Sequence, residues 1–440
     1  MIARMLLFAM LMLTCLSLPA RPAQADRALP TDAYLSGRNC GGTSLAASLL
    51  TDLRPAQVGG PGWLIGGAID PVLEGVGPQT RPSLAVSTAG AVFFAWQESR
   101  FGDDGDIFVA DLAAATGPVR RAVRVDDTGV TQAVQASPAM TIAANGTIHA
   151  VWQDQRGRIP ALYYASSADN GKSWSANALI PPTTSDRFVP SDPFLISGAQ
   201  GDLYLVWLAS SATSVVRFSR YSGEEWSDSV TLSSSSAGGR AMPRLALDDT
   251  GGLVAAWEDR RSGTPRIYTA RLADPAGVAW GADSPASPLG VSALKPSLAL
   301  GKGGALYIAY QGSPGIYLIS SSDGGASWSA PKRVDDGDGD AFTNPQLAVD
   351  SDGGVHCIWC RLHINAAADI VAARSTDGGT SWGEGVLLAS TTGTADPLAL
   401  IADHTGKVYA AWTDDRGGAK LHSAIWAYES RIYVPLVRQR

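Results

Sequence analysis

The chain has 440 residues, a net charge of −7 and only 17% charged side chains, with 13 Trp, 48 Gly and 26 Pro. An acidic balance excludes a nucleic-acid partner, which needs a basic face, and disfavours adsorption to anionic lipid. Four cysteines, one of them in the leader described next, leave an odd number, so the fold is not a disulfide framework.

In chain order, Arg4, the apolar run Met5 to Leu18 and the small-x-small triplet Ala23-Gln24-Ala25 predict a signal peptide over residues 1–25 and a secreted or cell-surface protein. No later stretch has the roughly 18 apolar residues of a membrane span, so the mature chain is expected to carry no transmembrane segment. Residues 26–59 form an N-terminal segment in which Leu45, Leu49, Leu50 and Leu53 share one face of a short predicted helix, Ser44 to Leu53. Residues 60–428 are read as a repeat domain, and residues 429–440, with the apolar stretch Ile432 to Val437, as a tail.

The repeat is marked by Pro82, Pro138, Pro193, Pro243, Pro296, Pro345 and Pro397, spaced 49 to 56 residues apart. Trp96, Trp152, Trp207, Trp257, Tyr310, Trp359 and Trp412 follow them, each 14 or 15 residues after its proline. Between proline and aromatic, apolar residues alternate around a Gly turn, as in Leu298 and Leu300 before Gly303-Gly304, then Leu306, Ile308 and Tyr310. That pattern predicts two short strands rather than a helix. Four strands per unit and seven units predict an all-β, seven-bladed β-propeller of four-stranded blades. The last unit runs out near Trp426, so Trp63 to Asp70 is predicted to close the ring as its outer strand.

Cys357 and Cys360 lie three apart in a predicted strand, hence on opposite faces, unable to pair with each other or to build a zinc cage with His356 and His363. They are expected to be buried thiols, while the state of Cys40 stays open. Asp336, Asp338 and Asp340 alternate as calcium ligands do, but lack the Gly and distal Glu of an EF-hand. No cofactor is expected, with calcium at these three residues as the alternative.

Three hairpins share the pattern S-x-D-x-G-x-x-W: Asp169, Gly171 and Trp174; Asp323, Gly325 and Trp328; Asp377, Gly379 and Trp382. Their chemistry is structural: the carboxylate accepts backbone N–H groups of its own turn, Gly supplies positive φ, and Trp covers the hairpin. The pattern resembles the Asp-box (BNR) repeat of sialidase-like propellers, over roughly residues 60 to 428. That resemblance implies that these turns lie on the face away from the ligand.

The loop after the second-strand aromatic repeats too, as an approximate W-x-D-x-R: Glu98 and Arg100, Asp154 and Arg156, Asp259 and Arg261, Asp414 and Arg416. Strand direction puts these loops on the opposite face, where the resemblance implies ligand binding. An element repeated in most blades can equally serve the repeat, as acid–base pairs pinning neighbouring blades. Arg81, Asp192, Lys295, Asn344 and Asp396 adjoin the blade prolines and are expected to line the central mouth on this face.

Sialidase chemistry would need clustered arginines for a carboxylate, a Tyr activated by Glu, and an acid. Arg81-Pro82 lies where the family's R-I-P signature belongs, one residue short, and Asp103 or Asp104 falls where the acid would stand. Arg244 and Arg333 are the further candidate arginines, but no Tyr–Glu pair occupies a family-like position. The expected function is therefore noncatalytic recognition of a glycan or an extracellular protein. An exo-acting glycoside hydrolase of sialidase type is the first alternative and a structural cell-envelope protein the second.

Overall fold

The computed structural model describes residues 62–68, 77–99, 105–112, 122–128, 133–157, 159–181, 188–234, 237–248, 251–272, 279–337, 341–364, 368–391, 398–414 and 420–427. The predicted leader, the Ser44–Leu53 helix, Cys40 and the tail lie outside them.

The described residues form seven antiparallel four-stranded sheets. Blade one is typical: Gln79–Val86, Val92–Glu98, Asp106–Leu112 and Val123–Arg124, each strand pairing with the next. The first strands of successive blades touch one another, and that of blade one touches that of blade seven, so they ring the axis. Closure follows the predicted scheme: Gly62–Ala68 pairs antiparallel with Lys420–Ala427, with Trp63 opposite Trp426. Among the described residues no helix is long and apolar enough to cross a membrane.

The apolar residues explain why the blades pack radially. Second strands such as Val92–Glu98 are buried on both faces, which selects continuous apolar runs over strict alternation. Each face meets a neighbouring blade, so seven apolar seams take the place of a single core. Trp152 of blade two, for instance, packs with Phe93 and Val109 of blade one. Cys357 and Cys360 are both buried and face different seams, as their spacing predicts.

The prolines mark a device that residue type alone conceals. In six blades the residue before the proline has a left-handed backbone: Arg81 (φ 55°), Ser137 (53°), Asp192 (49°), Met242 (50°), Lys295 (51°) and Asn344 (54°). At the same place the pairing register slips, as between Thr80 and Ser83. Each is a β-bulge that takes a proline, which has no N–H to donate, out of the ladder. Left-handed backbone at a non-Gly residue costs about 1–2 kcal/mol, and the α region is disfavoured before proline. The seventh equivalent, Asp396, lies outside the described residues.

Candidate functional site at the channel mouth

Strand register fixes which loops share a face. In blade two Asp154 lies opposite Gln135 and Ala161, at one end of the sheet; Ile148 lies opposite Ile142 and Ser167, at the other. The W-x-D-x-R loops and the starts of the inner strands therefore share one face, and the S-x-D-x-G-x-x-W turns occupy the opposite one.

The turns have one geometry. Asp169 Oδ1 accepts from the Ser173 and Lys172 N–H groups, at 2.9 and 3.0 Å, and Gly171 N–H donates to Ser167 Oγ at 2.9 Å. Asp377 accepts from Ser381 Oγ at 2.5 Å, Ser381 N at 2.9 Å and Ser375 Oγ at 2.7 Å. Asp323 repeats the pattern through Ser327 and Ser321. Gly171, Gly325 and Gly379 all have φ between 76° and 89°, and Trp174, Trp328 and Trp382 pack onto the seams. The Ser381 hydroxyl, then its N–H and the Ser375 hydroxyl, hold the Asp377 carboxyl down at about 2. A depressed carboxylate stabilises the fold above its unfolded value of about 4, and that contribution fades as pH falls through the folded value. We expect Asp377→Asn to flatten part of the fall in thermal midpoint between pH 4 and 2; a pH series of melting curves on both proteins checks this.

The W-x-D-x-R acids are committed internally. Trp96 donates its indole N–H to Glu98 at 2.8 Å, Trp152 to Asp154 at 3.0 Å and Trp257 to Asp259 at 3.1 Å. Arg156 Nη2 bonds Asp154 Oδ2 at 2.8 Å and Arg156 Nη1 bonds Asp127, in the linker after blade one, at 2.6 Å. Arg261 likewise joins Asp259 to Asp283 and to Ser234, which follows the outer strand of blade three. These pairs clamp neighbouring blades. Blade six inverts the arrangement: Arg361 and His363 stand two and four residues after Trp359, and both contact Asp369 of the third strand, at 3.0 and 2.9 Å.

The bulge residues face the axis. Arg81 Nη1 donates to Ser137 Oγ of blade two at 2.8 Å and lies 3.8 Å from Asp192 of blade three, with half of its side chain exposed. Arg244 packs over Phe194 at 5.2 Å; enclosure lowers the pKa of its guanidinium, and the Asp192 charge opposes that shift. Lys295 Nζ donates to Thr343 Oγ1 of blade six at 3.0 Å. Asn344 is 4% exposed, and its Nδ2 has no hydrogen-bond partner among the described residues. The structure thus brings Arg244 to the Arg81 and Asp192 cluster. It does not bring Arg333, which is on the outer strand of blade five beside Asp335.

Arg100, Asp103, Asp104, Asp338, Asp340, Asp396 and Arg416 lie outside the described residues, and Asp414 is placed only as the end of Val408–Asp414. Asp336 is exposed, and among the described residues no group of three or more metal-ligating side chains forms. Tyr164 bonds His149 at 2.8 Å and Tyr409 bonds Asp403 at 3.0 Å.

No family model and no curated protein matches the chain. Solved structures do. A protein of unknown function from Dyadobacter fermentans is 15% identical, with a TM-score of 0.52 over 69% of this chain and 97% of that one. An ulvan lyase, a polysaccharide lyase bound to a GlcA(1-4)Rha3S unit, is 13% identical, with a TM-score of 0.59 over 81% and 95% of the two chains. A Hadza microbial sialidase aligns more loosely, at 15% identity and a TM-score of 0.46 over 79% and 65%. What the Dyadobacter protein and the ulvan lyase share with this chain is the fold. This chain is a seven-bladed propeller of the architecture that carbohydrate-active enzymes also use, and its own chemistry has to be argued from its own side chains.

Proposed function

We propose that this is a secreted or surface-associated propeller, allied to the Asp-box sialidase-like group, that recognises an acidic glycan at the channel mouth without cleaving it. One observation carries the reading. Six blades hold the same strained bulge, yet the side chains they display differ: Arg, Ser, Asp, Met, Lys and Asn. A backbone feature kept in six blades while its side chain varies is what a recognition ring requires, because the scaffold is constant and the chemistry is local. Arg81, Arg244 and Lys295 supply cationic groups there, and guanidinium grips carboxylate or sulfate bidentately. The acids of the W-x-D-x-R clamps frame this mouth and leave ligand contact to the bulge residues.

The test is a glycan array probed with the purified chain, followed by titration of the best acidic hit and its neutral analogue. The acidic form should bind at least tenfold tighter, and Arg81→Asn, which suits a left-handed backbone, should lower its affinity at least tenfold. Arg333→Gln, on an outer strand, should leave it unchanged. Equal binding of the neutral analogue, or an indifferent Arg81→Asn variant, would refute the proposal.

A further inference from the structure

Blade three breaks the clamp pattern at its seam with blade two. Where blades two and four carry Trp152-x-Asp154-x-Arg156 and Trp257-x-Asp259-x-Arg261, blade three has Trp207-Leu208-Ala209-Ser210-Ser211. Its surroundings change in step. Opposite the tryptophan, blades two and four place Tyr163 and Tyr268, whose rings lie 4.2 and 4.3 Å beneath Arg156 and Arg261; blade three places Arg217. The residue before the outer strand is Asn177 in blade two and Asp283 in blade four, both bonded to the clamp arginine, and Ser229 in blade three.

The missing clamp leaves a cavity of about 210 Å³ between blades two and three. Pro160, Leu162, Ile180, Phe188 and Trp207 form apolar walls. Ile159 and Leu179, at 49% and 47% exposure, stand at its rim, and clustered exposed apolar residues mark binding surfaces. Two polar groups reach it. Arg217 lies over the Phe188 ring at 5.6 Å and donates to Ser229 Oγ at 3.2 Å. Trp207 is 7% exposed, and its indole N–H, unlike those of Trp96, Trp152 and Trp257, meets no acceptor among the described residues. A ligand that supplies an acceptor there makes the bond that Asp154 and Asp259 make to the tryptophans of their own blades.

We propose that this seam cavity, separate from the channel mouth, binds a small organic acid with an aryl or branched-alkyl body. Its carboxylate takes the place of the absent Asp, accepting from Trp207 and pairing with Arg217, while the body fills the apolar walls. The ligand completes in blade three the contact that Asp154 and Asp259 make in their own blades.

The probe is 3-phenylpropionate, with 3-phenylpropanamide as its neutral counterpart, titrated calorimetrically into the full chain. The acid should bind at least tenfold tighter than the amide. Ala209→Asp restores the resident acid and should weaken acid binding at least tenfold without lowering the thermal midpoint, and Arg217→Gln should abolish the preference for acid over amide. Arg81→Asn should bind the acid as wild type does, which separates this site from the channel mouth. No binding by wild type, equal binding of acid and amide, full binding in Ala209→Asp or loss of binding in Arg81→Asn would each overturn the proposal. Should Ala209→Asp fail to fold, the Arg217→Gln comparison decides alone.

Discussion

Asp259→Ala should be among the most damaging single substitutions in this protein, costing about 3–5 kcal/mol. Asp259 is fully buried and meets Arg240, whose side chain is also wholly buried, at 3.2 Å. It also accepts from the Trp257 indole and from the Arg261 guanidinium and N–H. Burial opposes ionisation of this carboxyl, but the Arg261 bonds, the Trp257 bond and the Arg240 charge outweigh it and hold its pKa below the usual range. Removing the carboxylate takes away the charged partner at 3.2 Å from a buried guanidinium that otherwise donates to carbonyls, among them those of Ala237 and Gly238, each at 2.8 Å. The control is Asp154→Ala. There the residue opposite the acid is the neutral Gln135, and Arg156 keeps Asp127 and Asn177, so the loss should be nearer 1–3 kcal/mol. Chemical unfolding of both variants checks the order as well as the size.

Removing the closing strand should have a comparable or larger effect. Gly62–Ala68 is the only strand of blade seven that comes from the N-terminal side of the ring, and it covers the free edge of Lys420–Ala427. Trp63, 4% exposed, fills the seam between blades six and seven with Trp426 and Trp412. His356, buried and bonded to Asp350 at 2.9 Å, stacks edge-on against Trp426 at 4.4 Å behind it. Trp63→Ala alone should cost about 3–5 kcal/mol by loss of a buried ring. A chain starting at residue 70 also loses the strand's backbone bonds, and its melting midpoint should fall by roughly 10 °C or its transition lose cooperativity. A peptide of residues 60–70 added in trans should recover part of the loss. A truncated chain that melts as the full one does would mean that closure does not hold the ring.

These contacts show what was legible beforehand. The prolines, the second-strand aromatics and the closing strand could be placed because a repeat multiplies each weak signal by seven blades. The bulges could not, because Arg81, Ser137, Asp192, Met242, Lys295 and Asn344 share a backbone conformation and no side-chain property; the proline after each was the one trace. The W-x-D-x-R acids were recognisable as a set, but whether they serve a ligand or the seams depends on the Trp and Arg partners that only three-dimensional placement supplies. Blade six shows the limit most clearly: Arg361 and His363 find their acid at Asp369, on another strand, where no linear motif points. The cavity between blades two and three was visible only as a gap, Ala209 where blades two and four carry Asp.

The central claim is that the channel mouth recognises an acidic glycan and leaves it intact. The most direct measurement incubates the chain with the best acidic oligosaccharide from the array at stoichiometric concentration across pH 4–8, with calorimetry for binding and mass spectrometry for the ligand. The account predicts saturable binding, lost in Arg81→Asn, and an oligosaccharide of unchanged mass. Release of a terminal sugar or of an unsaturated fragment, abolished by the same substitution, would make the mouth a catalytic site and contradict it.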